Sequence, residues 1–347
     1  MASSAAVEVS DPSSLPSSPR VSVLMVAYNQ DAWIGAAIEG IVVQDFPDGF
    51  ELVIGEDCST DRTRTIALDY QRRFPHLIRV IMSDHNVGPA ANHARVIAAA
   101  KGEFLAFCEG DDYWCHPGKL AAQSALLQAD SGAAMVHADW VRSRRDSTGT
   151  WRADPIRSEH ARMPLRYLAG DLFPLFYFGR ILRTCTLMIR GSALQAYKND
   201  PISRNAYRFE DTVISAYLTS RWRVAYWPEV AAVYRESPGS ILRSGVASKI
   251  DYLRSALRFD SDARAYFATR TDYPHSFRWE VAVGMLLWAI KGRDRAAAKD
   301  ALSDLRAHFG LIGFLRAGSR SLALRLPRAR RKPPAPLREA GSPTGRG

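Results

Sequence analysis

At residues 104–114 the sequence reads FLAFCEGDDYW, an apolar run followed at once by an acidic turn. The run 104–108 predicts a buried strand. Glu109, Asp111 and Asp112 then place three carboxylates within four residues, and these repel one another unless a cation accepts their oxygens. The turn therefore predicts a site for Mg²⁺ or Mn²⁺, which would neutralise phosphate charge. The alternative interpretation is a solvated turn in which Asp112 caps the next helix.

Strands and helices alternate through the first half of the chain. The predicted strands are 21–27, 52–54, 78–82 and 104–108, and the predicted helices are 31–42 with Asp31 as its cap, 59–74 capped by Ser59 or Asp61, and 89–100. This alternation predicts an α/β fold with a mostly parallel sheet covered by helices on both faces. Ligands bind at the carboxyl ends of such strands, where the sequence places Asn29, Asp57 and the acidic turn.

The second half is less regular. The pattern predicts a helix at 117–128, a strand at 134–141, a polar loop at 142–160, a strand at 184–189, a helix at 209–218, a strand at 223–234 and mostly helix over 250–305. We divide the chain into a disordered leader (1–20), a main α/β domain (21–235), a helical extension (236–326) and a disordered basic tail (327–347).

Composition and charge exclude several classes of protein. No apolar run is long enough to span a bilayer, and the N-terminus does not read as a signal peptide, so we expect a cytoplasmic protein with reduced thiols. The four cysteines lack paired spacing, which argues against a zinc site. Of the formal net charge of +10, +9 falls on residues 306–347. No aromatic residues alternate with the arginines of its Pro-Arg end, so we expect no nucleic-acid partner.

Residues 306–326 combine apolar and basic side chains without any acid. The apolar members are Phe309, Ile312, Leu315 and Leu322, and the basic members are Arg306, Arg316, Arg320 and Arg325. Such a segment can lie on an anionic membrane surface, and we predict a peripheral location on the inner face of the cell membrane. A helix packed on the main domain is the alternative.

Three further motifs carry candidate chemistry. Asp57, within the acidic segment 56–61, can accept hydrogen bonds from the imide of a base or from a ribose hydroxyl. The turn at 86–89 can present helix-end amide groups to a ligand, although turn chemistry alone explains it. Glu210-Asp211 opens a predicted helix, where a carboxylate serves either as a general base or as a cap.

Taken together, these motifs resemble glycosyltransferase family 2, an inverting family with the GT-A fold. The resemblance covers about residues 21–235. The matching pieces stand in the family's order, at residues 21–29, 56–61, 86–88, 100–104, 109–114 and 210–211.

The resemblance implies a role for each matched residue. The donor-binding residues would be Ala27, Tyr28, Asn29, Asp57, Asn86, Gly88, Glu109 and Asp111. Asp111 or Asp112 would hold the metal ion, and Asp211, with Glu210 beside it, would be the catalytic base. Two departures stand out: Glu109 replaces the first Asp of the Asp-x-Asp motif, and Glu236-Ser237 follows Tyr234-Arg235 where many relatives carry a histidine.

The resemblance also implies the reaction. An acceptor hydroxyl would displace the nucleoside diphosphate from a sugar with inversion, and the acceptor would be a glycan or lipid-linked molecule in cell-surface glycan synthesis. An inactive glycosyltransferase-like binding or scaffold protein is the competing interpretation. A dinucleotide oxidoreductase is disfavoured, because residues 27–30 read AYNQ and offer no glycines to admit a pyrophosphate.

Overall fold

The computed structural model describes residues 6–145, 151–153, 158–236 and 245–325. The strands are Val7–Val9 (β1), Val21–Ala27 (β2), Phe50–Glu56 (β3), Ile78–Met82 (β4), Phe104–Phe107 (β5), Tyr113–Trp114 (β6), Ala133–Arg145 (β7), Trp151–Ala153 (β8), Met188–Arg190 (β9) and Arg223–Arg235 (β10). The α-helices are Ile34–Val42 (α1), Thr63–Arg73 (α2), Pro89–Ala99 (α3), Lys119–Ala129 (α4), Gly191–Asn199 (α5), Asp211–Arg221 (α6), Val246–Tyr266 (α7), His275–Gly292 (α8) and Arg295–Arg325 (α9).

One mixed sheet organises these elements. Its strand order is β1-β4-β3-β2-β5-β9-β7-β10-β6, and β8 pairs with β7. The four strands β4-β3-β2-β5 are mutually parallel, as are β7 and β10, whereas β9 is antiparallel to both of its neighbours. The predicted α/β fold is confirmed, and its longest pairings are the parallel ones.

Burial on both faces explains why β2 forms the centre of the sheet. Its apolar residues divide between two hydrophobic clusters, Val23 and Met25 on one face and Leu24 on the other. A parallel strand covered on both faces has such a continuous apolar sequence. Helix α1 packs against the first face through residues spaced three and four apart, namely Ile34, Ala37, Ile38 and Ile41.

Helix α3 covers β2 and β3 on the second face, and the C-terminal helices extend the same hydrophobic cluster. Helices α7, α8 and α9 are joined by buried ion pairs, in which Arg278 contacts Asp260 at 2.9 Å and also pairs with Asp304. Among the described residues, no helix combines the length and apolarity that crossing a membrane requires.

Three local predictions were wrong. The segment 184–189 was expected to be one strand, but Thr184–Thr186 is a 3₁₀ turn in which the Thr186 hydroxyl donates to the Arg183 carbonyl at 2.7 Å. The segment 142–160 was expected to be loop, but β7 continues to Arg145 and pairs with β8. Asp31 does not cap α1, since its backbone amide donates to Asp61 and the helix begins three residues later.

The leader expected to be disordered contains strand β1. This strand pairs antiparallel with β4 at the sheet edge, and Glu8 contacts the buried Arg79 at 2.8 Å. Arg79 also pairs at 2.8 Å with the buried Glu51. The leader prediction is therefore wrong for residues 7–9, because edge pairing and this ion pair order them. Residues 1–5 and the predicted tail 327–347 lie outside the described residues.

Candidate active site

The acidic turn lies on the end of β2. The Cys108 amide donates to the Leu24 carbonyl at 3.1 Å, and the Gly110 amide donates to the Val26 carbonyl at 3.2 Å. A β-carbon at Gly110 would lie 2.5 Å from the Gln30 side-chain oxygen, so a larger residue there would displace the end of that side chain. These contacts hold Glu109, Asp111 and Asp112 at the carboxyl edge of the central strands, as predicted.

Asp57 lies beside the end of β2 and organises the neighbouring turn. Its amide donates to the Ala27 carbonyl at 3.1 Å. Its buried carboxylate accepts from the Val87 and Gly88 amides, each at 2.9 Å. Gly88 has a φ of 86°, a conformation that glycine adopts without strain. Asp57 therefore fixes the start of α3, and its role in reading a base stays a prediction.

The other predicted donor-binding residues occupy the same edge. Asn29 has a φ of 51°, and its side-chain oxygen accepts from the Thr60 amide at 2.8 Å. Tyr28 is 44% exposed, whereas Ala27 is buried. Asn86 is exposed and accepts from the Gly88 amide at 2.9 Å. The structure thus gathers these residues at one edge, with Tyr28 open to solvent.

The three carboxylates of the acidic turn have different surroundings. Burial, followed by the charge of Asp111, raises the pKa of Glu109 to about 7. Oxygen Oε2 of Glu109 is buried and accepts no hydrogen bond from the described residues. Burial and the charges of Asp111 and Glu109 raise the pKa of Asp112 well above its usual range. Asp112 is buried and accepts from the Arg235 amide at 2.9 Å, whereas Asp111 is only partly buried.

Arg235 ties the end of β10 to this turn. Its guanidinium donates to the Asp111 carbonyl at 3.1 Å and lies 4.4 Å from the Tyr113 ring centroid. The sequence assigned no role to Arg235 itself; the pair Tyr234-Arg235 only located the position where many relatives carry a histidine. Glu236 pairs instead with Arg142 at 2.5 Å, and Ser237 lies outside the described residues.

The expected base lies at the start of α6, close to the acidic turn. Asp211 is exposed, and one of its oxygens accepts from the Thr212 amide at 2.7 Å. Its charge is among the influences that raise the pKa of Glu109, after burial and Asp111, so the two carboxylates interact. The neighbouring Glu210 contacts His93, whose ring centroid lies 5.7 Å from that of Phe107 at the end of β5, so the start of α6 approaches the acidic turn.

His93 is a site residue that was not predicted from the sequence. It lies on α3, and its Nδ1 is 3.3 Å from a carboxylate oxygen of Glu210. Its electrostatic effect is to lower the pKa of Glu109. A single histidine on a helix of small residues gave no periodic or motif signal, so only the folded arrangement of α3 and α6 identifies it.

The donor set fits a hard divalent cation. Three carboxyl groups and one guanidinium meet at the turn, so acidic groups outnumber basic groups there. Glu109 contributes a buried oxygen that lacks a hydrogen-bond donor, and hard cations prefer oxygen ligands. No group of three histidine, cysteine or acidic residues within the described ranges already stands at metal-binding geometry.

The fold and these strand-end carboxylates define an α/β protein with an acidic site at the edge of its sheet. The model of Glycosyl transferase family 2 matches residues 22–197, about half of the chain. The chain therefore belongs to glycosyltransferase family 2, and the resemblance seen in the sequence is confirmed.

Similar sequences share only part of their length with this chain. An uncharacterized protein of Mycobacterium tuberculosis is 43% identical over 107 residues, 31% of each chain. The putative teichuronic acid biosynthesis glycosyltransferase TuaG of Bacillus subtilis is 33% identical over 115 residues, 33% of this chain and 44% of that one. The chain thus matches less than half the length of these relatives.

Solved structures agree with the fold over most of the chain. Staphylococcus aureus TarS in complex with UDP-GlcNAc has a TM-score of 0.51 at 15% identity, covering 84% of this chain and 93% of the TarS chain. The mannosyltransferase PcManGT of Pyrobaculum calidifontis, in complex with GDP-Man and Mn²⁺, has a TM-score of 0.52 at 19% identity, covering 88% and 81%. These likenesses confirm the GT-A fold class.

Proposed function

We propose that this chain transfers a sugar from a nucleoside-diphosphate sugar to an acceptor hydroxyl, with inversion at the anomeric carbon. The observation that carries the proposal is the approach of the start of α6 to the acidic turn through His93, since it brings a candidate base near a candidate diphosphate-and-metal site. Membership of the family supports it. TarS and PcManGT were solved with nucleotide sugars, which supports the donor class.

The donor would bind along the strand ends. Asn29, Asp57 and the 86–88 turn would line its nucleotide, and Glu109 and Asp111 would lie beside its phosphates. Asp111, rather than Asp112, would be the principal metal ligand, because Asp112 is buried beneath the turn and already held by the Arg235 amide. Bound Mg²⁺ or Mn²⁺ would offset the negative charge that develops on the diphosphate.

Asp211 would remove the proton from the acceptor hydroxyl as that oxygen attacks the sugar. It is exposed, so an acceptor can approach it from solvent. His93 would orient Glu210, the neighbour of this base, through their 3.3 Å contact. A single displacement needs no covalent nucleophile, and inversion follows from attack opposite the leaving group.

The acceptor would be a cell-surface glycan or a lipid-linked intermediate. Relatives with such roles support this part of the proposal, among them TuaG and the poly(ribitol-phosphate) glycosyltransferases of Bacillus spizizenii and Staphylococcus aureus. A cytoplasmic location, with α9 on the inner membrane surface, would place the active site near such acceptors.

A thermal-shift screen of nucleoside diphosphates and their sugars, with and without Mn²⁺, tests the donor site. A ligand that binds only the native state raises the unfolding temperature. We expect one nucleotide to do so in a metal-dependent manner, and its sugar conjugate to be hydrolysed slowly without acceptor. Binding without hydrolysis or transfer would instead identify an inactive binding protein, and no binding of any nucleotide would refute the proposal.

A further inference from the structure

An open surface pocket of about 530 Å³ lies between α7 and the segment that leads into α6. It shares no residue with the donor-side edge of the sheet. The residues that line it are Ala206, Tyr207, Arg208, Asp251, Arg254, Ser255 and Arg258.

The walls of the pocket are fixed to each other. The Arg208 amide donates to the Ser255 hydroxyl at 3.0 Å. The Arg258 guanidinium donates to the Ala206 carbonyl and lies 5.4 Å from the Tyr207 ring centroid. These contacts between α7 and residues 206–208 therefore fix the shape of the pocket.

The lining has an excess of positive charge. It contains three arginines and one acid, Asp251. Asp251 accepts from Arg208 at 2.6 Å, and Arg254 reaches Asp300, outside the pocket, at 3.3 Å. Arg258 has no carboxylate partner among the described residues. Arg254 and Arg258 are four residues apart on α7, where like charges repel, and a bound anion would relieve that repulsion.

The pocket borders the candidate base. Phe209, next to the lining residue Arg208, packs against Tyr252 with ring centroids 5.2 Å apart. Tyr252 is next to the lining residue Asp251, and its pKa is raised by burial and then by the charge of Asp211. The lining residue Arg208 stands three residues before Asp211 in the chain, so a ligand in the pocket would lie near this base.

We propose that this pocket binds a phosphate or phosphodiester group of the acceptor. The proposal rests on the proposed function and adds the acceptor's chemical class. Guanidinium groups bind phosphate oxygens through paired, charge-assisted hydrogen bonds, and neutral sugar hydroxyls in the acceptor would not offset their positive charge. The acceptor is therefore a phosphate-bearing polyol or glycan chain, or a sugar linked to lipid through phosphate.

Binding of two phosphodiester probes tests the pocket directly. The soluble probe is glycerophosphoglycerol and the lipid probe is dihexanoyl phosphatidylglycerol below its micelle concentration, both measured by calorimetry, so that no membrane surface is present. We expect the variant Arg254→Gln/Arg258→Gln to bind at least about tenfold more weakly whichever of the two probes the wild-type protein binds. The variant Asp251→Asn should bind it more tightly, because it removes the only acid of the lining.

A matched control separates the pocket from general surface charge. Arg72 is an exposed helical arginine paired with one aspartate, like Arg254, but it lies on α2. Arg72→Gln should leave probe binding unchanged. Donor hydrolysis should also remain at the wild-type rate in the double variant, since neither arginine belongs to the donor site.

The outcomes distinguish this proposal from the proposed function. Loss of soluble-probe binding in the double variant supports a polyol-phosphate acceptor, and loss of lipid-probe binding alone supports a lipid-phosphate acceptor; either supports the pocket. Donor hydrolysis with unchanged probe binding in the double variant would overturn the pocket and leave the proposed function intact. If these arginines bind the probe but the protein neither hydrolyses the donor nor transfers a sugar, then both the proposed function and the acceptor role of the pocket are wrong.

Discussion

At the scale of single residues, the acidic turn is where charge and burial conflict most. Glu109 and Asp112 are carried into the sheet edge with their charges incompletely compensated, and their raised pKa values reflect that. Such an arrangement is costly for folding alone. On the proposed function, the charge of a bound cation would offset part of this cost.

The first prediction concerns Asp111. Asp111→Asn should reduce turnover at least about a hundredfold, the usual effect of removing one group that stabilises developing charge. Steady-state transfer or donor hydrolysis measures it. The unfolding temperature should not fall, because the change removes repulsion within the turn. Asp69→Asn, an exposed acid on α2, is the matched control and should keep full activity.

The metal role has its own test. Wild-type protein should lose activity in EDTA and regain it when Mn²⁺ or Mg²⁺ is added. Full activity in EDTA, or a fully active Asp111→Asn variant, would contradict the assignment of a metal ion to the acidic turn.

The second prediction concerns Asp211. Asp211→Asn keeps the shape of the side chain but cannot accept a proton, so transfer should fall by about two to four orders of magnitude. Donor affinity should persist, which calorimetry with the donor checks. Wild-type transfer by this variant would reduce Asp211 to a helix cap, and Glu210→Gln would then be the variant to measure.

At the scale of elements, the periodic parts of the chain were predictable and the others were not. Strands β2 and β4 were predicted at their observed bounds, because strands buried on both faces have continuous apolar sequences. Helix α5 was missed, since Gly191 looked like a strand end, and β1 was missed because its partners are far away in sequence. Such pairings depend on the folded sheet.

The residues of the candidate site also divide into those that the sequence predicts and those that it does not. Glu109, Asp111 and Asp57 follow strands directly, so their position at the sheet edge could be predicted from strand ends alone. His93 and Arg235 join the site only because α3 approaches α6 and β10 ends beside the turn. Contacts of that kind between distant segments leave no local pattern in the sequence.

The third prediction concerns two histidines buried between β7 and the loop that follows β8. Nε2 of His137 donates to the Leu168 carbonyl and Nε2 of His160 donates to the Arg180 carbonyl, each at 2.6 Å. Burial lowers their pKa values, to about 3 for His137, with the charge of His160 adding to the effect, and to about 4 for His160. Both are therefore neutral in the native protein at ordinary pH.

Their effect on stability has a definite sign. Below about pH 6.5 the unfolded chain binds protons that the native chain does not, so the free energy of unfolding falls by about 1.4 kcal/mol per pH unit for each histidine. The raised pKa values of Glu109 and Asp112 act in the opposite direction over the same pH range, so the histidine contribution is measured by comparing variants in chemical denaturation at pH 7, 6 and 5. His160→Gln keeps a donor for Arg180 and should lose less stability than the wild-type protein between pH 7 and 5, whereas the exposed His76→Gln should match the wild type. Equal slopes in all three proteins would refute the assignment.

At the scale of the whole molecule, α9 divides into a packed part and a continuation. Ala297, Ala301 and Leu305 are buried against the body, and the helix is kinked at Gly310, whose φ is 51°. The backbone then continues as helix to Arg325. The body up to residue 305 is nearly neutral, so almost all of the formal net charge belongs to residues 306–347.

The last prediction assigns that continuation to an anionic membrane surface. Full-length protein should pellet with anionic but not neutral vesicles at low salt, whereas a chain ending at Gly310 should stay in solution with its unfolding temperature unchanged. Because each basic residue near such a surface contributes on the order of 1 kcal/mol, Arg316→Gln/Arg320→Gln/Arg325→Gln should weaken pelleting about a hundredfold. Equal pelleting of full-length and shortened chains would show that the body carries any membrane contact. A fall in the unfolding temperature on shortening would instead favour a helix packed on the main domain, the alternative left open by the sequence.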